Sequence, residues 1–344
     1  MKKIFITILL TISSIVLNAQ KIDLDRLNFK VNYRKLAERP LGSSYRTFKV
    51  EASSPLSPNY PDKTSNFRLD GYKMVQDDPS FTIKFRFGDL FFDKTNVIER
   101  VDIKTNKEGK ETSRTYYYKL EVKYNVNSNY QATTKDGSAF SSENTNISKT
   151  FTTQEYTKST DASNYWENNR SALKNKFYDD VITEYIQNSN VKINASIGYS
   201  DKTESRILWI TDSPKHPENE AFKDACNAIA LKLGMLTARQ PIGNILTELA
   251  PVITYFEGIK DKYKADEKPD RKLRYGAYFN LAVLYLFTDQ PQKAKEMADL
   301  LIANEYDKFD GKTLKSEAEV LLSSFSTNKF STTHFSDEYL DNLK

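Results

Sequence analysis

The chain has one cysteine, Cys226, and two histidines, His216 and His334, in 344 residues. A single thiol excludes an intramolecular disulfide framework. Because Cys226 lies far from the N-terminus, the lipid-bearing thiol that a bacterial lipoprotein carries at its processed end is missing too. With so few histidines, a Ser-His-Asp or Cys-His nucleophilic site would depend on His216 or His334. No His/Cys cluster has zinc-ligand spacing, and no glycine-rich loop is built to cradle a phosphate, so neither a metal nor a cofactor is expected. Basic residues number 50 and acidic residues 46, for a formal charge of +4. They are interspersed, without the dense basic block that a nucleic-acid groove or a polybasic membrane anchor requires. Beyond the N-terminus no uninterrupted apolar run approaches the ~18 residues of a membrane span, so no transmembrane anchor is expected.

What is present begins with a leader. Lys2 and Lys3 supply a positive end, residues 4–17 are almost wholly apolar, and Leu17-Asn18-Ala19 ends in a small residue. This pattern predicts a signal peptide over residues 1–19, cut between Ala19 and Gln20. Export places the mature chain in the periplasm, at the outer membrane, or outside the cell. The length exceeds an ordinary single domain, so more than one is expected. Tyrosine (21) and phenylalanine (20) are abundant against 11 glycines and 11 prolines, which favours strands and contact surfaces.

Residues 20–130 read as β. Phe81, Ile83, Phe85 and Phe87 alternate with polar neighbours, as do Tyr116, Tyr118, Leu120, Val122, Tyr124 and Val126; this is the period of a strand with one buried face. Residues 45–51 and 97–103 are candidate partners, with Glu108-Gly109-Lys110 as a turn. Pro55, Pro58 and Pro61 mark a loop. Antiparallel strands of this kind predict a β-sandwich-like domain. Residues 131–163, rich in Ser, Thr and Asn, read as a linker or long loop with a short strand near 147–153.

Residues 164–240 predict a compact α+β module. Trp166, Leu173, Phe177, Val181 and Tyr185 fall at helical intervals. Val191, Ile193, Ala195 and Ile197 alternate like a strand, followed by a hairpin loop and the continuous Ile207-Leu208-Trp209-Ile210 strand. Phe222, Ala225, Cys226, Ile229 and Leu233 then stripe a helix over 219–236. Cys226 on that stripe reads as an inert core residue.

Residues 241–344 are helical. Pro241 opens a helix through Ile245, Leu249, Val252, Ile253, Phe256 and Ile259, in which Pro251 either kinks the helix or marks its first turn. Asp270 is placed to cap the next helix. Tyr275, Tyr278, Leu281, Ala282 and Tyr285 form a stripe, Asp289-Gln290-Pro291 breaks it, and Ala294, Met297, Ala298 and Leu301 resume it. Leu314, Ala318, Leu321 and Phe325 define a further helix, followed by a loosely structured tail with Phe330, His334 and Phe335.

Within residues 270–304, the spacing of Tyr278, Leu281, Ala282, Tyr285 and Ala294 resembles a tetratricopeptide unit. Two alanines let the helix backbones approach while bulkier groups fill the flanks. Ala298 stands where that family has a bulkier aromatic, Leu301 where it has a small residue, and no proline closes the unit near Tyr306. No second copy stands in register, and full arrays normally use about three units, so the resemblance implies short TPR-like helical hairpins and carries no functional residues. The leader end Asn-Ala-Gln and the Tyr/Asn/Lys-rich chain also resemble exported Bacteroidota proteins of unknown function.

The carboxylates Asp179, Asp180, Glu184, Glu317 and Glu319 are the remaining candidates for acid-base chemistry, and they read as solvated helix faces. The expectation is therefore an α+β multidomain, exported, non-enzymatic binding or scaffold protein of the cell envelope, making protein–protein contacts with other envelope proteins. One alternative is an envelope hydrolase acting on glycan or peptide through paired carboxylates. Another is a structural or adhesive surface protein.

Overall fold

The computed structural model describes residues 22–55 and 61–342. The predicted signal peptide, Pro58 and the side chain of Pro61 lie outside the described part. The elements run β1 (Leu24–Arg34), β2 (Thr47–Ser53), α1 (Pro61–Thr64), β3 (Lys73–Met74), β4 (Phe81–Thr105), β5 (Glu111–Thr134), β6 (Ala139–Thr152), α2 (Ser159–Ile197), β7 (Asp201–Thr211) and α3 (Asn219–Gly234). Then come α4 (Ile245–Glu248), α5 (Ala250–Lys262), α6 (Lys268–Phe287), α7 (Pro291–Ala303), α8 (Lys308–Asn328) and α9 (Asp337–Asp341). Among the described residues the chain is mixed α+β with two sheets and a helical C-terminal region, and it divides into two compact units. One comprises the chain up to Tyr33 with Lys202–His334; the other comprises Arg34–Asp201 with Phe335–Lys344.

The second unit is built on a five-stranded sheet of order β3-β2-β4-β5-β6. It is mixed rather than purely antiparallel, because β2 runs parallel to both β3 and β4. The segments expected as two strands around Phe81 and Val97 are one continuous strand, paired along its length with β5 across a turn at Gly109 (φ +80°). The Ser/Thr/Asn-rich stretch read as a connector carries β6, paired with β5 from Glu121↔Thr152 to Thr133↔Ala139. An edge strand needs few apolar residues, and half-buried Phe140, Ile147 and Phe151 suffice to seat it.

Where a second sheet was expected, the covering layer is the helix α2. Its residues Phe177, Tyr178, Val181, Ile182, Tyr185 and Ile186 bury against the apolar face of β4 and β5. Tyr124 stacks on Phe177 at 4.7 Å, Tyr185 meets Phe85 edge-on at 6.1 Å, and Trp166 meets Phe92 edge-on at 4.9 Å. Fully burying each such side chain is worth about 1.5–3 kcal/mol. At the bulge between Phe87 and Leu90, Tyr178 Oη donates to the Gly88 carbonyl at 2.8 Å and satisfies a backbone group that the irregular ladder frees.

The expected strand at 191–197 is instead the last two turns of α2. Ile193 and Ile197 are buried while Val191 is 70% exposed, a spacing of four on each side of the helix. Alternation over four positions also contains a spacing of four, so it is compatible with both readings.

The first unit pairs β1 with β7, so the partner of the Ile207–Ile210 strand comes from far back in the chain rather than from a hairpin at 198–205. The Asp212 N–H donates to the Asp23 carbonyl at 2.8 Å, and Thr203 Oγ1 donates to Asn32 Oδ1 at 2.7 Å, which sets the two strands antiparallel. Helix α3 buries Phe222, Ala225, Cys226, Ile229 and Leu233. Pro251 sits in the first turn of α5, where its missing N–H costs nothing. Asp270 lies inside the first turn of α6 rather than capping it; Glu267 is the N-cap, and the Asp270 carboxylate accepts from the Ala265 N–H at 3.0 Å. The stretch expected to be a loose tail is buried: Phe330 is 8% exposed, and His334 and Phe335 1% each.

Candidate functional site

The apolar face that α2 covers does not stop where α2 does. β2 pairs with β4 only as far as Arg86, and β6 pairs with β5 only from Glu121 onward. Past those points β4 and β5 continue as a hairpin arm, flanked on the β5 side by Thr153, which hydrogen-bonds Leu120, by Glu155, which pairs with Arg100, and by Tyr156, bridged to Tyr118. The turn at the tip is held by Asn106, whose side-chain oxygen accepts from the N–H groups of Glu108 (3.0 Å) and Lys110 (2.9 Å).

The register assigns each residue to a face. Val97, Val101 and Ile103 stand opposite Leu120, Tyr116 and Arg114, and Glu99 stands opposite Tyr118. This face continues the covered face of the sheet, but here Val97 is 49%, Val101 36%, Ile103 50% and Tyr116 38% exposed. The opposite face is ionic. Arg100 donates to Glu155 through Nε (3.1 Å) and Nη2 (2.9 Å), reaches Asp102, and lies 4.5 Å from the Tyr117 ring. These hydrogen bonds hold the Glu155 carboxyl below, and the Arg100 guanidinium above, their ordinary pKa values. Isolated two-stranded ribbons are marginal in water, and contiguous exposed apolar faces mark contact sites.

The residues singled out for packing, Tyr278, Leu281, Ala282 and Tyr285 on α6 and Ala294 on α7, are all buried in the core of the first unit. Ala282 and Ala294 are 0% exposed. Cys226 donates to the Trp209 carbonyl at 3.2 Å, and burial pushes its thiol well above the reactive range. His216 accepts at Nδ1 from the Glu218 N–H (3.1 Å), and burial lowers its pKa. Glu218 in turn accepts from Tyr255 Oη (2.8 Å), Tyr263 Oη (2.9 Å) and Lys262, so each of its neighbours already has a partner. Among the carboxylates, Asp179 pairs with Lys63 (2.7 Å), Glu184 with Lys149, and Glu317 with Arg206 through both oxygens (3.1 and 2.8 Å). Asp180 and Glu319 are exposed. No group of three potential metal ligands occurs, and no helix is long and apolar enough to cross a membrane, among the described residues.

The strands of the arm are legible in the sequence and their exposure is not. Tyr116 and Tyr118 alternate in step with buried Leu120 and Val122, since alternation reports which residues share a face and not what lies against it. The available signal was length: β4 and β5 outrun every segment able to cover them. In comparisons with known proteins, no family model and no curated protein matches the chain.

Proposed function

We propose that this is an exported, non-enzymatic binding or scaffold protein of the cell envelope that acts through protein–protein contacts, with the β4–β5 arm as its contact element. The observation that supports this reading is the apolar face of Val97, Val101, Ile103 and Tyr116, left open to solvent on a ribbon too slender to be stable by itself. Tyrosine on such a surface supplies contact area with little loss of side-chain freedom. On this reading residues 1–19 direct export, and α6 and α7 form a tetratricopeptide-like hairpin whose alanines let the helices close on each other.

The test is affinity capture from the cell envelope with the purified chain and with a form whose arm, residues 98–117, is replaced by a short turn. The expected result is one or more identified envelope proteins retained by the first and lost by the second. Retention that depends on glycan alone, with no protein partner, would sink the reading and favour an envelope hydrolase.

A further inference from the structure

We propose that the free edge of β4 in the arm pairs with the same edge of a second copy of this chain, antiparallel, about a two-fold axis at Val101. The inference rests on the contact role proposed above and names the partner for one part of that surface.

The Tyr118 N–H donates to the Tyr156 carbonyl at 2.7 Å, and the Tyr156 N–H donates to the Tyr118 carbonyl at 2.8 Å, so the backbone groups of Tyr118 face away from β4. Glu99 stands opposite Tyr118. In an antiparallel ladder, both members of a pair either exchange hydrogen bonds or both turn away, so the N–H and C=O of Glu99 face outward as well. The ladder has register shifts at Phe92/Lys94 and Lys104/Thr105 and none between, so Val97, Val101 and Ile103 share that direction. Among the described residues no strand meets this row of donors and acceptors. The residues that present it also carry the exposed apolar side chains.

Edges are commonly defended by proline, bulges or charges. Here the register shifts sit at the two ends of the arm, at Phe92/Lys94 and Lys104/Thr105, and residues 94–104 contain neither proline nor glycine. The charges that remain alternate in sign along the strand: Glu99, Arg100, Asp102, Lys104. Antiparallel pairing centred on Val101 sets Val101 against its own copy, Arg100 against Asp102 of the second copy and the reverse, and Ile98 against Lys104. No like charges meet. A parallel in-register pairing would oppose Arg100 to Arg100, and moving the axis to Arg100 or to Asp102 would oppose like charges directly, which is destabilising. An odd offset would match outward-facing backbone groups to inward-facing ones. Centred on Val101, two marginal ribbons become one four-stranded sheet that joins the Val101 and Tyr116 side chains of both copies on one face, with Glu99 beside Ile103 of the second copy.

The experiment is light-scattering mass on the purified chain and three variants. Val101→Pro removes an N–H that faces away from β5, leaving the ladder within the chain intact. The wild type is expected at twice the chain mass and Val101→Pro at the chain mass with an unchanged thermal melt. Arg100→Asp opposes like charges and is expected to be monomeric, whereas Arg100→Asp with Asp102→Arg restores the pair and the doubled mass. A wild type that stays monomeric up to millimolar concentration, or a dimer indifferent to Val101→Pro and to the charge swap, overturns the inference. A monomer that still needs its arm to capture envelope proteins overturns self-pairing and leaves the contact role standing. A monomer whose arm-replaced form captures the same proteins removes both.

Discussion

The side-chain amide of Asn280, in the middle of α6, holds both backbone groups of Trp209 on β7: the Trp209 N–H donates to Oδ1 and Nδ2 donates to the Trp209 carbonyl, each at 2.8 Å. Asn280 is 0% exposed and imitates a neighbouring strand at a point where a helix lies against the sheet. Asn280→Ala would leave the Trp209 N–H without a partner and its carbonyl with only the weak Cys226 thiol donor, at roughly 1–3 kcal/mol for a group left unpaired. Urea denaturation should therefore show a loss of about 2–5 kcal/mol, and a loss below 1 kcal/mol would mean that water replaces the amide.

Asp289 ties down the C-terminal stretch. Its backbone takes a left-handed conformation (φ 58°), and its carboxylate accepts from Thr332 Oγ1 (2.6 Å), the Thr333 N–H (3.0 Å) and Thr333 Oγ1 (2.7 Å), with His334 Nδ1 at 3.3 Å. Asp289→Ala should cost about 3 kcal/mol, because several donors lose a charged acceptor together. It should also expose residues 329–336 to limited proteolysis. An unchanged digestion pattern would show that Phe330 and Phe335 hold this stretch without it.

Acid sensitivity should centre on Glu218. Burial by itself would raise its pKa, but hydrogen bonds from Lys262, Tyr255 and Tyr263 bring it below the ordinary glutamate value. The folded state therefore favours the charged form. Its contribution is complete above roughly pH 4.3, the unfolded value, and is lost as pH falls through the lower folded value. Urea midpoints at pH 7 and pH 3 should fall further apart in the wild type than in Glu218→Gln, and equal falls would remove Glu218 from the acid response.

Two glycines on helices should respond oppositely to alanine. At Gly311 on α8 an added Cβ would lie 2.7 Å from Ile302 Cγ1 and 3.2 Å from the Ala298 carbonyl, so α7 and α8 would have to separate. At Gly258 on α5 nothing lies within 4 Å. Gly258→Ala should stabilise by up to about 1 kcal/mol through helix propensity, while Gly311→Ala should destabilise by about 1–3 kcal/mol through overpacking. Thermal melts of the two single variants check both signs.

Helix α3 was legible because Phe222, Ala225, Cys226, Ile229 and Leu233 bury one face only, and burial on one face leaves its period in the chain. The Phe81 and Tyr124 strands were legible for the same reason, as was the break at Asp289-Gln290-Pro291, where Pro291 opens α7. The continuation of α2 through residues 191–197 was not, because four alternating apolar positions fit a strand and a helix equally.

Local sequence thus determined which segments have one apolar side and where prolines interrupt them. Tertiary structure decided everything that depends on a partner distant in the chain. It paired β7 with β1, put Asn280 against Trp209, buried His334 and Phe335, and laid α2 over part of the β4–β5 face and not the rest. The pattern Val97, Val101, Tyr116, Tyr118 is the same whether a face is covered or open. Side-chain alternation is a property of one strand, whereas exposure is a property of what lies against it.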